Sequence, residues 1–181
     1  MFILLKRLKC NFISSMFASI SYISMPYLIA NLVHGHGSLM MTASYIPWIL
    51  WALIKLFEKR NILSLGILGI LIGFQLQRAH VQIAYYTWML IGLYTLFYIV
   101  KSIYNKDDIF FSKSNPLYLL FTALLLGIGL AASIYLPAIS YIPYSTRASV
   151  GGGMGIDQAM GWSFPPIESI VFLLPSFFGF G

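Results

Sequence analysis

Acidic residues are scarce in this chain: five among 181 positions, against eleven Lys and Arg and three His. Charged residues of both signs reach only 9%, where a soluble domain carries about 25%. A chain of this size has too high a ratio of surface to volume to hide 59% of hydrophobic residues from water. This argues against a soluble all-helical fold and for a polytopic membrane protein. Cysteine is nearly absent too. Cys10 alone excludes an intramolecular disulfide and a cysteine-based zinc cluster. Phosphate-binding glycine motifs are missing: Gly151-Gly152-Gly153-Met154-Gly155 has neither the following Lys nor a preceding strand. No Ser/His/Asp arrangement can be argued from spacing. The net charge of +6 does not point to nucleic acid, because the basic residues sit at the ends of apolar runs and report topology instead.

The apolar runs themselves are plentiful. The first covers about residues 11–33. Lys6, Arg7 and Lys9 precede it as in a signal peptide, but it is too long for one, so a retained span is expected. Ser14, Ser15, Ala18 and Ser19 give it a small-residue face, and Pro26 predicts a kink. The second covers about 38–56, with Ser38 as its expected N-cap and a bend at Pro47. It ends in the charged corner of Lys55, Glu58, Lys59 and Arg60. The third covers about 61–76. Its Gly66, Gly69 and Gly73 share one face, which predicts tight packing against another helix. The fourth, 81–100, carries Tyr85, Tyr86 and Trp88 near one end and Tyr94 and Tyr98 near the other, like two interfacial belts. The fifth, 117–136, repeats Ala123, Gly127 and Ala131 every four residues, and Pro137 and Pro143 are expected to end regular structure. Residues 137–166 read as a long loop, and Pro165-Pro166 as the opening of a last, short helix over 167–178. The expected fold is an all-α transmembrane bundle of five spans plus a partial or re-entrant sixth. Residues 1–181 form a single transmembrane domain, expected to belong to a longer chain because the apolar run at Phe178 has no polar tail.

Charge sets the expected orientation. With the N-terminus in the cytoplasm, Lys6, Arg7, Lys9, Lys55, Lys59, Arg60, Lys101, Lys106 and Lys113 lie inside, and only Arg78 and Arg147 lie outside. Two histidine-bearing corners, His34 to Ser38 and Gln75 to Gln82, then share the outer face with the 137–166 loop and Glu168.

Chemistry is expected at that face. Arg78 and Arg147 are candidates to hold a phosphate through guanidinium forks, against the plainer role of meeting lipid head groups. His36, His80 and Gln82 are further candidate binding residues. His34, His36 and His80 would suffice for a three-His metal site, but hydrogen-bonded corner histidines are the favoured reading. No metal ligand is assigned and no cofactor is expected, a divalent metal being left open. Asp157 and Glu168, the outer acids, are weak candidates for a general base. A solvated loop residue and a helix-dipole cap are the respective alternatives.

Several strings occur together in order: Gly35-His36 opening a span, Ala79-His80-Val81-Gln82-Ile83-Ala84-Tyr85-Tyr86-Thr87, Leu136-Pro137, Ser145-Thr146-Arg147, and Gly161-Trp162-Ser163-Phe164-Pro165-Pro166 leading to Leu174-Pro175-Ser176-Phe177-Phe178-Gly179. With these, the chain resembles the YfhO family of bacterial membrane proteins, which is similar to the GT-C class of integral-membrane glycosyltransferases. The resemblance implies a long multi-pass protein of the bacterial inner membrane. It also implies sugar transfer from a polyprenyl-phosphate donor to a cell-envelope acceptor on the outer face. GT-C enzymes keep a catalytic carboxylate in the first outer loop; residues 33–38 hold His34 and His36 and no acid. A transporter or lipid flippase, which would place polar residues and broken helices at mid-membrane, is the rival reading. A non-catalytic assembly subunit is a third.

Overall fold

A computed structural model describes residues 1–105, 115–144, 160–161, 165–172 and 177. Among the described residues, eight α-helices follow one another: α1 (Phe2–Arg7), α2 (Phe12–Ile23), α3 (Pro26–Val33), α4 (Gly37–Ser44), α5 (Ile46–Lys59), α6 (Ile62–Leu76), α7 (Val81–Tyr104) and α8 (Pro116–Tyr141). Short 3-10 segments occupy Ile142–Tyr144 and Pro166–Phe172, and no strand occurs among the described residues.

Local chemistry sets the helix ends. The side chains of Asn11 and Asn61 accept from the N–H groups of Ser14 (2.7 Å) and Ser64 (2.9 Å), capping α2 and α6. Pro26 does more than kink the first run. It opens α3 after a break at Ser24 and Met25, because a proline is tolerated in a helix's first turn, where its missing N–H would have no partner. Pro47 acts alike in the first turn of α5, so the second run also splits, at Tyr45. Ser38 is not the cap expected of it. It lies inside α4, and His36 occupies the cap position without a side-chain hydrogen bond. Arg60, at φ 47°, ends α5 in the left-handed conformation, with its N–H on the Leu56 carbonyl (2.8 Å).

Among the described residues, four stretches are long and apolar enough to cross a bilayer: Phe12–Val33, Gly37–Lys59, Val81–Tyr104 and Pro116–Tyr144. At 15 residues, α6 falls short of the roughly 17 that a span needs. Large apolar side chains such as Phe17, Leu93, Phe97 and Phe121 are exposed along these stretches, as expected of surfaces that meet lipid rather than water.

The chain divides into two compact units, Met1–Tyr135 and Leu136–Gly181. In the first, α5 and α6 form the centre, where Ile49, Leu53, Leu56, Leu68 and Ile72 are fully buried. The glycine face of α6 meets the small-residue stripe of α8. A Cβ on Gly69 would lie 3.0 Å from the Ala123 carbonyl oxygen, and one on Gly127 would lie 2.6 Å from Ile72 Cγ2. Two separate sequence signals are therefore the two halves of one interface. Gly66 takes no part in it, since a Cβ there meets nothing within 4 Å.

Pro137 does not end the fifth run. It lies inside α8, which continues to Tyr141. In an apolar medium, neighbouring groups re-satisfy the backbone positions that a proline frees, so a helix outlasts it. Pro143 falls in the 3-10 turn that follows. The helix expected after Pro165 is a 3-10 segment, Pro166–Phe172, with Glu168 in its first turn and its N–H on the Pro165 carbonyl (2.9 Å).

Candidate functional site

A buried glutamine aligns the two histidine corners. Gln75, near the end of α6, is fully buried and donates from Nε2 to the Thr42 carbonyl (3.1 Å) and to Thr87 Oγ1 (2.8 Å). Thr87 in turn donates to the Ile83 carbonyl, so its oxygen can only accept from Gln75. That fixes which way the amide points. Thr42 is six residues past His36, and Thr87 seven past His80. The rise of about 1.5 Å per residue therefore puts both corners roughly 9–11 Å beyond Gln75, at the same end of the bundle.

At this end Arg78 is exposed and makes no side-chain hydrogen bond or ion pair among the described residues. The turn carrying it is held by bonds from the N–H groups of Arg78 and Ala79 to the Gln75 and Leu76 carbonyls, with Ala79 at φ 60°. His80 is a structural cap. Its Nδ1 accepts from the Ile83 N–H (3.4 Å), which leaves the proton on Nε2 in the neutral ring. Gln82 donates to the Tyr86 hydroxyl (3.0 Å). His34 Nδ1 lies 2.7 Å from the Ala30 carbonyl, closing α3. His36 is exposed. The described residues thus bring Arg78, His80, Gln82, His34 and His36 to one end. They contain no group of three potential metal-ligating His, Cys, Asp or Glu side chains. Arg147 and Asp157 lie outside the described residues. Glu168 is partly exposed in the second unit.

An apolar track leads to this end. Leu76, Val81, Ala84, Tyr85 and Trp88 line a cavity of about 150 Å³. Trp88 also lines a larger one of about 330 Å³, which runs along α7 through Ile91, Gly92, Thr95 and Ile99 to Leu120 and Leu124 of α8. The Thr95 hydroxyl is occupied by the Ile91 carbonyl (2.7 Å), so the track offers no free hydroxyl there.

The interior polar groups were not expected. Gln75, expected from the sequence to open the outer-face corner, sits among helices with its Oε1 buried and unpartnered. Tyr22 donates its hydroxyl to the Ala43 carbonyl (2.8 Å), and Gln75 meets that of Thr42, so the broken second run has its freed carbonyls covered. A signal existed. Thr42 and Thr87 are polar positions six and seven residues past His36 and His80, in largely apolar runs.

The opposite end is basic. Arg7 pairs with Glu58 and lies over the Trp51 ring (6.0 Å), which also receives Lys55 Nζ at 4.8 Å. This pairing lays α1 alongside α5. Met1 then lies beside Pro47 and Trp48, and desolvation holds its ammonium pKa below the ordinary value. Arg60 donates from Nη2 to the Tyr98 hydroxyl (2.8 Å), tying the α5–α6 corner to α7. Comparison with family models, with curated proteins and with solved structures returned no match.

Proposed function

We propose that this chain is part of a GT-C-like membrane glycosyltransferase, and that a phosphate-bearing polyprenyl lipid docks along α7 with its phosphate at Arg78. The observation that carries the reading is the apolar track from Ile99 to Val81, which leads to the turn bearing the exposed Arg78. An isoprenoid chain suits the track, and a guanidinium offers a phosphate charge-assisted, paired hydrogen bonds. In the reaction, a carboxylate would take the proton of an acceptor hydroxyl as that oxygen attacks the anomeric carbon, and the lipid phosphate would leave stabilised by Arg78. Asp157 and Glu168 are the proposed carboxylate candidates, and Arg147 a second phosphate ligand. The reading includes α6 as a fifth crossing, a cytoplasmic N-terminus and the bacterial inner membrane.

The test is binding of a polyprenyl phosphate to the purified protein. Arg78→Gln is expected to weaken it by roughly ten-fold or more, the worth of one charged hydrogen bond, and Arg78→Lys by less. Unchanged binding in Arg78→Gln overturns the reading. One observation favours the transporter alternative: two spans are discontinuous, and buried polar groups meet the break between α4 and α5. Cysteines placed at Thr42 and Thr87 separate the two. An interfacial enzyme keeps them inaccessible to membrane-impermeant reagents, whereas alternating access exposes them to one side at a time.

A further inference from the structure

We propose a second lipid site at the opposite end: the corner between α5 and α6 binds the phosphate of an anionic phospholipid headgroup, between Arg60 and Lys101. The Arg60 guanidinium is held in place. Its Nη2 donates to the Tyr98 hydroxyl (2.8 Å) and its Nε to the Phe57 carbonyl (3.4 Å). Neither partner carries a compensating charge. Glu58 is the one acid at this end among the described residues, and Arg7 takes it. A positive charge is therefore fixed, half-buried and unneutralised by the described residues, at the rim of an apolar bundle.

A second cation lies on the face of α7 that carries Arg60's partner Tyr98. Lys101 is three residues past Tyr98 on α7, one turn on and on the same face. Lys101 and Lys59 are both exposed. Beneath them, Phe57 packs on Tyr98 (4.4 Å between centroids) and Tyr94 (5.9 Å), an aromatic floor at the depth where a lipid's glycerol and upper acyl carbons lie. Basic pockets between transmembrane helices hold anionic headgroups in this way. A preorganised guanidinium loses less freedom on binding than a mobile lysine would. The length of α6, 15 residues or about 22 Å, separates this corner from Arg78, so one phosphate cannot serve both.

The experiment compares phosphatidylglycerol, phosphatidylcholine and soluble glycerol phosphate, each added to the purified protein in neutral detergent. It reads bound lipid by native mass spectrometry and the midpoint of thermal unfolding. Phosphatidylglycerol is expected to bind and raise the midpoint beyond the other two. Arg60→Gln and Lys101→Gln should each weaken its binding about five-fold, the scale of one basic residue near an anionic headgroup. Lys101 is exposed, so its variant keeps the test decisive if Arg60→Gln folds poorly. Lys9→Gln, at another basic position of the same end, should change binding less than two-fold, roughly the effect of a screened charge that does not touch the headgroup. Equal protection by phosphatidylcholine overturns the proposal. So does equal protection by glycerol phosphate, which would mark a free-phosphate site. An equal loss in Lys9→Gln overturns it as well, by showing a diffuse charge rather than a site.

Discussion

Replacing Gly127 with alanine should cost stability, while the same change two residues on, at Gly129, should not. A Cβ on Gly127 would lie 2.6 Å from Ile72 Cγ2, 2.9 Å from Ile72 Cβ and 3.1 Å from the Gly69 carbonyl oxygen. Ile72 is fully buried and β-branched, so it cannot rotate clear, and the other neighbour is backbone. The helices must move apart instead. Overpacking of this kind costs about 1–3 kcal/mol. Alanine also gains about 1 kcal/mol of helix propensity over glycine, which offsets part of that cost at Gly127. The gain is common to both positions, and a Cβ on Gly129 meets nothing within 4 Å. Subtracting one variant from the other therefore isolates the contact. The assay is reversible unfolding in mixed detergent, with Gly66→Ala and Ile70→Leu as further controls on open or exposed positions. Ile72→Ala in the Gly127→Ala background should recover part of the loss, a coupling that a double-mutant cycle measures. If Gly127→Ala and Gly129→Ala agree within about 0.5 kcal/mol, the usual scatter of uncoupled sites, the close approach of α6 and α8 is refuted.

Two further outcomes follow from the polar positions. Gln75→Met is expected to be tolerated within about 1 kcal/mol, because it removes the buried, unpartnered Oε1 along with two hydrogen bonds. Gln75→Ala should cost roughly 2–3 kcal/mol more through the cavity it leaves; equal unfolding midpoints for the two would contradict the packing around α6. In a Cys10→Ser background, single cysteines at His36 and Gln82 should label from one side of intact cells or vesicles, and those at Lys59 and Lys101 from the other. Labelling of His36 and Gln82 from opposite sides would refute the alignment of the corners.

The membrane class was legible because it rests on composition: the scarcity of charge and the length of the apolar runs argue against a soluble fold. Helix type, irregularity at Pro26 and Pro47 and the small-residue faces were legible for the same kind of reason, though the prolines open new helices instead of kinking or bending the runs as expected. Each depends on a backbone property of one residue or on a periodicity within one helix. Pro137 misled because a proline's cost depends on what surrounds the freed carbonyl, which no single run reveals. The caps at His36 and His80 were likewise hidden, since capping is settled by the backbone geometry of the turn. His34 and His80 are hydrogen-bonded corner residues, the reading the sequence favours over metal ligands. Only the tertiary structure joined the Gly69–Gly73 face to the Ala123–Gly127 stripe, because complementarity is a property of two surfaces. It alone moved Gln75 from the outer-face corner to the interior, where Thr42 and Thr87 replace water as its partners. It alone drew Arg7, Trp51 and Glu58 into one cluster, and Arg60 onto Tyr98. Those contacts span 38 to 51 residues of chain, and such separations close only when the helices pack.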